Sequence, residues 1–373
     1  MRIALITRRF DPAGGGTERD LIVTAEWLRA GGHDVTIFAE DVRGGNSEWK
    51  LRRVGGFAPG RALSLLRFAY AAAPAARRDG AELLLSFARV IGADLLRSGG
   101  NAHVSYLRAA RKWRSAMAVA LMRMRPYHRV QMLVERRGFA SPALRKVIAV
   151  SNLVKDDIVR EFAVDPQKIL TLFNGVDLER FRPATSDDDR AAVRAQFKIP
   201  GDVPLVIFVG NGFARKGLPF MLEAWPLLKR RAHLLVVGND RDIAGYRKCA
   251  SELRIDQQIV FAGAQPNAAR LMHAADALAL PSLFEPFGNV IVEAMASGLP
   301  VMSSVYCGAS EVLPASMRPF CLEDPTDAGE IALRLDMLLD AAPTLREEAR
   351  AAAAEFTWER YGAELNAIVA TMR

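Results

Sequence analysis

The stretch Glu285-Pro286-Phe287-Gly288-Asn289-Val290-Ile291-Val292-Glu293 sets two carboxylates eight positions apart around a Pro-Phe-Gly turn. Val290, Ile291, Val292, Ala294, Met295 and Ala296 surround Glu293, which predicts a buried helix capped by Asn289 and ended by Gly298. An unpaired carboxylate in such a helix costs roughly several kcal/mol unless a cation, backbone donors or ligand hydroxyls meet it. A second group, Gly210-Asn211-Gly212-Phe213-Ala214-Arg215-Lys216-Gly217, puts two cations after an apolar strand and a glycine loop that admits close approach of a ligand. Cations there suit a diphosphate. The carboxylates would repel phosphate but accept hydrogen bonds from vicinal hydroxyls, so the combination reads as a nucleotide-sugar site. The plain alternatives are a solvated loop pair for Arg215 and Lys216, an ion pair for Glu293 and a helix-dipole contact for Glu285.

Two halves of the chain must position these groups, and both have the same grammar. Ile3–Thr7 reads as a strand, Gly14-Gly15-Gly16 as a loop, and a helix begins near Thr17, where Thr17 and Asp20 form a T-x-x-D capping pattern. That helix stops at Gly31-Gly32, and a strand follows over Val35–Ala39. In the second half Leu205–Val209, a helix from Leu218 and Leu234–Val237 repeat the unit, followed by short apolar strands at Ile259–Ala262, Ala277–Leu280 and Val301–Ser303. The expected class is α/β, with two Rossmann-like, doubly wound parallel sheets. Polar, proline-containing sequence over 181–189 marks the boundary, giving domains of 1–180 and 181–355.

Composition narrows the partners. The 373 residues hold 50 Lys+Arg against 42 Asp+Glu, a formal charge of +8, which favours anionic partners. Cys249, Cys307 and Cys321 have no metal-ligand spacing and read as free thiols in a reducing compartment. Asp187 and Asp189 mimic a metal-binding D-x-D but sit at a helix start, so no metal is expected. Glu40 ends a strand where a dinucleotide fold places its acid, yet the first loop lacks G-x-G-x-x-G. The N-terminus reads as a strand rather than a signal sequence, and no apolar run reaches bilayer-spanning length; a cytoplasmic location is expected.

The pattern E-P-F-G-x4-E at Glu285 and Glu293, the Arg215-Lys216 pair and Phe173-Asn174-Gly175-Val176-Asp177 together resemble the retaining GT-B glycosyltransferases of family 4 over nearly the whole chain. The resemblance implies two domains facing across a cleft, acceptor on the first and nucleotide on the second, no metal, and a final helix over about 356–373 crossing back to the first domain. It implies that Glu285 meets hydroxyls of the transferred sugar and Glu293 the ribose, and that Arg215 and Lys216 stabilise the departing diphosphate. Phe287, Gly288, Asn289 and Val290 would surround sugar and phosphate, Asn174 would join the substrate-binding residues, and Gly15 and Gly16 would let the first domain close. His103 matches the family's histidine near the sugar, or is structural. Asp20 falls where an acid near the acceptor is found, or only caps its helix. The first loop narrows the likeness to enzymes that add glucose from UDP-glucose to the inner-core heptose of lipopolysaccharide, with other UDP- or GDP-sugar transferases and a UDP-sugar epimerase as alternatives.

Residues 108–137 carry nine arginines and lysines against the single acid Glu135. Read as one helix, Trp113, Met117, Ala120, Leu121 and Met124 share a face opposite the cations, suiting the anionic cytoplasmic face of the inner membrane or else a core-packed helix with a solvated basic side. A lipid-linked glycan acceptor agrees with the first reading. No RNA-binding or zinc-finger pattern is present, so no nucleic-acid partner is expected.

Overall fold

The computed structural model describes residues 1–12, 14–44, 48–56, 58–184 and 186–372; Thr185, within the expected boundary segment, and the side chain of Asp187 lie outside the described residues. Contacts divide the chain into two units, Met1–Asn174 with Trp358–Arg373, and Gly175–Thr357. The first strand-rich unit therefore ends before residue 180. Val176 is bridged to Thr357, and Arg350 donates to the carbonyls of Leu178 (3.3 Å) and Phe181 (3.0 Å), which ties 175–181 to the second unit.

In the first unit, strands β1 (Arg2–Phe10), β2 (Asp34–Val42), β3 (Lys50–Arg53), β4 (Leu83–Ser86), β5 (Leu95–Ser98), β6 (Lys146–Ala149) and β7 (Ile169–Thr171) form a parallel sheet in the order β3-β2-β1-β4-β5-β6-β7. Strand period two splits the core: Ile3 and Leu5 join one apolar cluster, Ala4 and Ile6 another. Helix α1 (Gly16–Ala30) covers the first face, and α2 (Gly60–Arg78) the second through Phe68, Ala72 and Ala76.

The capping pattern at Thr17 is not used. Gly15 is the N-cap of α1, no side chain caps the helix, and Asp20 points into the core instead.

The basic segment is not one helix. It is divided into α3 (His103–Ala109), a 3-10 turn over Ala110–Lys112, α4 (Ala116–Met124) and α5 (Pro126–Phe139), with α6 (Asn152–Phe162) following β6. Ser115 restarts the helix by accepting a hydrogen bond from the Ala118 N–H at 3.2 Å, and Pro126 holds Arg125 in an extended conformation. Trp113 falls in the first break and packs by Tyr106 rather than on the α4 face. Val119 turns inward, whereas Met117 (71%), Leu121 (54%) and Met124 (73%) are exposed on one side of α4. That spacing of four and three residues excludes a core-packed apolar face.

The second unit contains α7 (Asp187–Gln196), β8 (Leu205–Val209), α8 (Leu218–Ala224), β9 (His233–Val237), α9 (Ile243–Glu252), β10 (Ile259–Gly263), α10 (Ala268–Met272), β11 (Ala277–Ala279), α11 (Asn289–Ala296), β12 (Val301–Ser304), β13 (Cys321–Leu322) and α12 (Ala328–Ala354). Its sheet is also parallel, ordered β10-β9-β8-β11-β12-β13. Leu205 through Phe208 are fully buried, as a strand covered on both faces requires. The strand order reverses between β8 and β11, and the crevice at such a switch point, beyond the carboxyl ends of the strands, is where open α/β sheets bind ligands.

The last helix, α13 (Trp358–Ala370), belongs to the first unit and packs on α1. Tyr361 and Thr24 share a buried hydroxyl–hydroxyl hydrogen bond of 2.8 Å, and Asn366 Nδ2 donates to the Trp27 carbonyl at 3.1 Å. Leu365 and Val369 complete the apolar cluster on this face of the sheet.

Candidate functional site

At the switch point of the second sheet, the loop after β8 delivers Arg215 and Lys216, and the loop after β11 delivers Glu285. These three side chains meet there. Glu285 Oε2 accepts hydrogen bonds from Arg215 Nη1 at 2.9 Å and Lys216 Nζ at 2.5 Å, and Arg215 Nη1 also donates to the Phe284 carbonyl at 2.6 Å. The side chains are 26%, 9% and 13% exposed for Arg215, Lys216 and Glu285.

Local sequence explains how Lys216 reaches back across the strand end. Gly210 has φ +145°, and a Cβ there would lie 2.4 Å from Lys216 Cε, so only glycine leaves room for that side chain. At Gly217, φ +84°, a Cβ would lie 2.0 Å from the Pro281 carbonyl oxygen; glycine lets the β8 and β11 loops touch. The Leu283 N–H donates to the Arg215 carbonyl at 2.9 Å and fastens the two loops together.

The turn over 285–288 is braced by the loop after β12. Glu285 pairs with Cys307 as a parallel bridge, its N–H donates to the Tyr306 carbonyl at 2.9 Å, and its carbonyl accepts from Gly308 at 2.9 Å. The Phe287 carbonyl accepts from the Ala309 N–H at 2.8 Å and from Cys307 Sγ at 2.9 Å. Cys307 was read from spacing only as a free thiol, and nothing in the sequence marks this bracing role. Burial, and next the Glu285 charge, push its thiol up to about 12, so it stays protonated and donates.

Helix α11 begins at Asn289 with Gly288 as its left-handed N-cap, so Asn289 is the first helical residue rather than the cap. Phe287 and Val290 are buried. Glu293 is half-buried, not enclosed, although its neighbours Val292 and Ala294 are buried; one side of the short helix stays open.

In the first unit, Asp20 and Asn174 come together around a residue that the sequence reading missed. Arg97, at β5, is 1% exposed and donates from Nη2 to Asn174 Oδ1 at 2.6 Å and Asp20 Oδ2 at 3.2 Å, while Asn174 Nδ2 donates to Asp20 Oδ2 at 3.1 Å. This network joins α1, β5 and the segment after β7. Gly15 and Gly16 stand at the start of α1, where the chain leaves β1, beside β4 at the reversal of the first sheet.

His103 begins α3, just beyond β5, and its Nε2 lies 2.7 Å from Nδ1 of His128 on α5, with the rings stacked at 5.0 Å. The backbone N–H of His103 donates to Glu135 Oε2 at 2.8 Å. Burial first, then the His128 and Arg89 charges, push His103 down to about 4, so near neutral pH it is an uncharged hydrogen-bonding group. His128 had no signal in the sequence beyond its place in a basic run.

Glu40, the acid at the end of β2, is engaged by Arg8 at 2.6 Å and by Ser64, an intramolecular use that accounts for its position. Among the described residues, no cluster of three or more His, Cys, Asp or Glu side chains is arranged to hold a metal ion, and no helix is long and apolar enough to cross a membrane.

Burial opposes ionisation of Glu285, but the Lys216 and Arg215 charges and their hydrogen bonds outweigh it and hold the carboxyl down to about 2. A depressed folded-state value means that this stabilisation is complete above the ordinary value of 4.5 and is lost as pH falls toward 2. The expected contribution is about 3 kcal/mol. In urea unfolding followed at successive pH values, Glu285→Gln should flatten the stability profile over this acid window; a variant profile parallel to that of the wild type contradicts the ion cluster.

Comparison with known proteins agrees with this geometry. Residues 14–180 match the family Glycosyltransferase Family 4, and residues 189–356 match Glycosyl transferases group 1. The chain is 28% identical over 198 residues to the uncharacterized glycosyltransferase MJ1607 of Methanocaldococcus jannaschii, covering 52% of this chain and 50% of that one. It is 35% identical over 210 residues to the D-inositol 3-phosphate glycosyltransferase of Mycobacterium leprae, covering 52% and 47%. The chain thus spans about half the length of the curated relatives it matches. Among solved structures, the fold is similar to WaaG, a glycosyltransferase involved in lipopolysaccharide biosynthesis, with TM-score 0.81 and 21% identity over 98% of this chain and 99% of that one. It is also similar to Anabaena HepE in complex with UDP and glucose, with TM-score 0.76 and 17% identity over the whole of both chains. Two family models thus match the two halves of the chain in turn, Glycosyltransferase Family 4 and then Glycosyl transferases group 1, and the fold is that of the GT-B glycosyltransferases.

Proposed function

We propose that this protein moves a hexosyl group, glucose from UDP-glucose, onto a lipid-linked acceptor such as the inner-core heptose of lipopolysaccharide, with retention of anomeric configuration and without a metal. The observation that carries the reading is the Arg215–Lys216–Glu285 cluster at the switch point of the second sheet. Each cation has more donors than Glu285 consumes: lysine has three and arginine five. The remainder serve a diphosphate, as fixed positive charge where negative charge develops on the leaving oxygen. Glu285 orders those cations and offers its carboxylate to sugar hydroxyls, and Glu293 on α11 takes the ribose. The similarity to a chain solved with UDP and glucose supports the choice of donor.

In the proposed reaction the acceptor oxygen bonds to the anomeric carbon on the face that the nucleotide leaves. The bond from that carbon to the phosphate oxygen breaks with its electron pair going to the diphosphate, and the acceptor's hydroxyl proton passes to a departing phosphate oxygen. No second carboxylate nucleophile is needed. In this reading His103, in the first unit, serves the acceptor with His128 beside it, and Asp20 acts through the Arg97 and Asn174 network that holds α1.

Removing one such charge-stabilising donor costs about 10²–10³-fold in turnover. Lys216→Ala is expected to lower transfer from UDP-glucose by that factor while retaining the far-ultraviolet circular dichroism of the parent. Near-normal transfer contradicts the role assigned to Lys216.

The same proposal places the protein on the cytoplasmic face of the inner membrane through α4. Met117, Leu121 and Met124 form an exposed apolar stripe, flanked in sequence by Arg111, Lys112, Arg114, Arg123 and Arg125. Each basic side chain near an anionic surface contributes about 1 kcal/mol. Reversing Arg111, Lys112 and Arg114 to glutamate should weaken partitioning onto phosphatidylglycerol-containing vesicles by at least about 100-fold. Unchanged partitioning contradicts the membrane contact.

A further inference from the structure

The edge of the second sheet opposite Glu285 holds a different concentration of charge. Asp276, at the entry to β11, accepts from Arg190 Nη2 at 2.7 Å, Arg194 Nη2 at 2.9 Å and Arg346 Nη2 at 3.3 Å, as well as from the Leu205 N–H at 2.8 Å. Three guanidiniums thus share this carboxylate. One turn beyond Arg346 on α12, Arg350 donates to backbone carbonyls of Phe181, Leu178 and Ala296. A cavity of about 920 Å³ opens here, lined by Arg190, His273, Asp276, Ser297, Arg346 and Arg350, with the exposed Glu347 contributing an acid. A smaller hollow of about 240 Å³ shares Arg190, Asp276 and Arg346.

We propose that the larger cavity is a second ligand site, for a small organic phosphate, separate from the Arg215–Lys216–Glu285 cluster. The side chains of Arg190 and Arg346 are 27% and 39% exposed, so their guanidiniums are partly desolvated yet reachable. Planar guanidiniums bind phosphate oxygens in pairs, which a lone carboxylate shared three ways does not exhaust. Burial lowers the Arg346 guanidinium from its ordinary value, Asp276 acts in the opposite direction and the nearby Arg190 charge adds to the lowering; an added anion acts in the direction of Asp276. Pro183, Met272 and Ala351 supply apolar wall for the organic part, and the volume falls in the range of small-molecule sites. The site lies at the amino ends of β11 and β12, whereas Arg215, Lys216 and Glu285 follow the carboxyl ends of β8 and β11. Occupying it would link Ser186 and Arg190 to Arg346 and Arg350 of α12, which share its lining.

The test is calorimetric titration of the full chain carrying Arg215→Ala and Lys216→Ala, which removes the other candidate phosphate site, with glucose 6-phosphate and with inorganic phosphate. Saturable one-to-one binding of glucose 6-phosphate is expected, weakened at least about 10-fold by adding Arg190→Gln and Arg346→Gln. Absence of saturable binding at millimolar concentration, or an affinity indifferent to the two arginines, overturns the proposal. Equal affinity for inorganic phosphate overturns the assignment to an organic ligand. Because the arginine variants risk misfolding, hydrogen exchange on the unsubstituted chain gives an independent reading: glucose 6-phosphate should slow exchange in 186–190 and 344–351, and unaltered exchange there overturns the proposal.

Discussion

A carboxylate removed from water has to be answered by charge, and in the second unit that requirement governs the ligand edge. Glu285 is answered by Arg215 and Lys216 together, which locks the loops after β8 and β11 to each other before any ligand arrives. Breaking such a pair by deleting one partner leaves an uncompensated charge, whereas the intact cluster keeps two cations oriented. Preorganised charge of this kind needs no rearrangement at the moment a leaving group departs. The cluster is therefore a fastening and, in the proposed reading, a reagent as well, and the glycines at 210 and 217 stand where side chains would prevent it from forming.

The first unit solves a parallel problem with a different outcome. Arg97 is more deeply buried than Lys216 and its Nη2 is engaged by Asp20 and Asn174, so its charge organises elements from far apart in the sequence: α1, β5 and the end of the unit. Helix α13 returns to this unit and seals α1 through Tyr361 and Asn366. The two clusters differ in what remains available. Arg215 and Lys216 sit in loops at a switch point with donors to spare, while Arg97 lies within the wall of the fold.

Much of this was legible in the sequence, and the reasons are local. Apolar runs such as Leu205–Val209 report a strand buried on both faces, and glycine loops followed by helices report the β-loop-α unit. Arg215, Lys216 and Glu285 could be grouped because each follows a recognisable strand, and parallel strands bring their carboxyl ends to one edge. Helix boundaries were less legible. Thr17 looked like a cap, but Gly15 starts α1 one residue before the helix proper; Asn289 looked like a cap, but the left-handed Gly288 takes that position. Residues 108–137 looked like one amphipathic helix because periodicity ignores the two breaks that Ser115 and Pro126 impose. Arg97, His128 and Cys307 were invisible for a further reason: their partners lie 77, 25 and 20 positions away, and no short motif encodes such contacts.

The central claim is that Arg215 and Lys216, held by Glu285, receive the diphosphate of a nucleotide-sugar. A crystal structure of the chain with UDP tests it most directly. The account predicts diphosphate oxygens within hydrogen-bonding reach, about 3 Å, of the Arg215 guanidinium and Lys216 Nζ, with Glu285 still beside them. UDP seated elsewhere, with the Glu285 ion cluster unchanged and no phosphate contact to either cation, would contradict it.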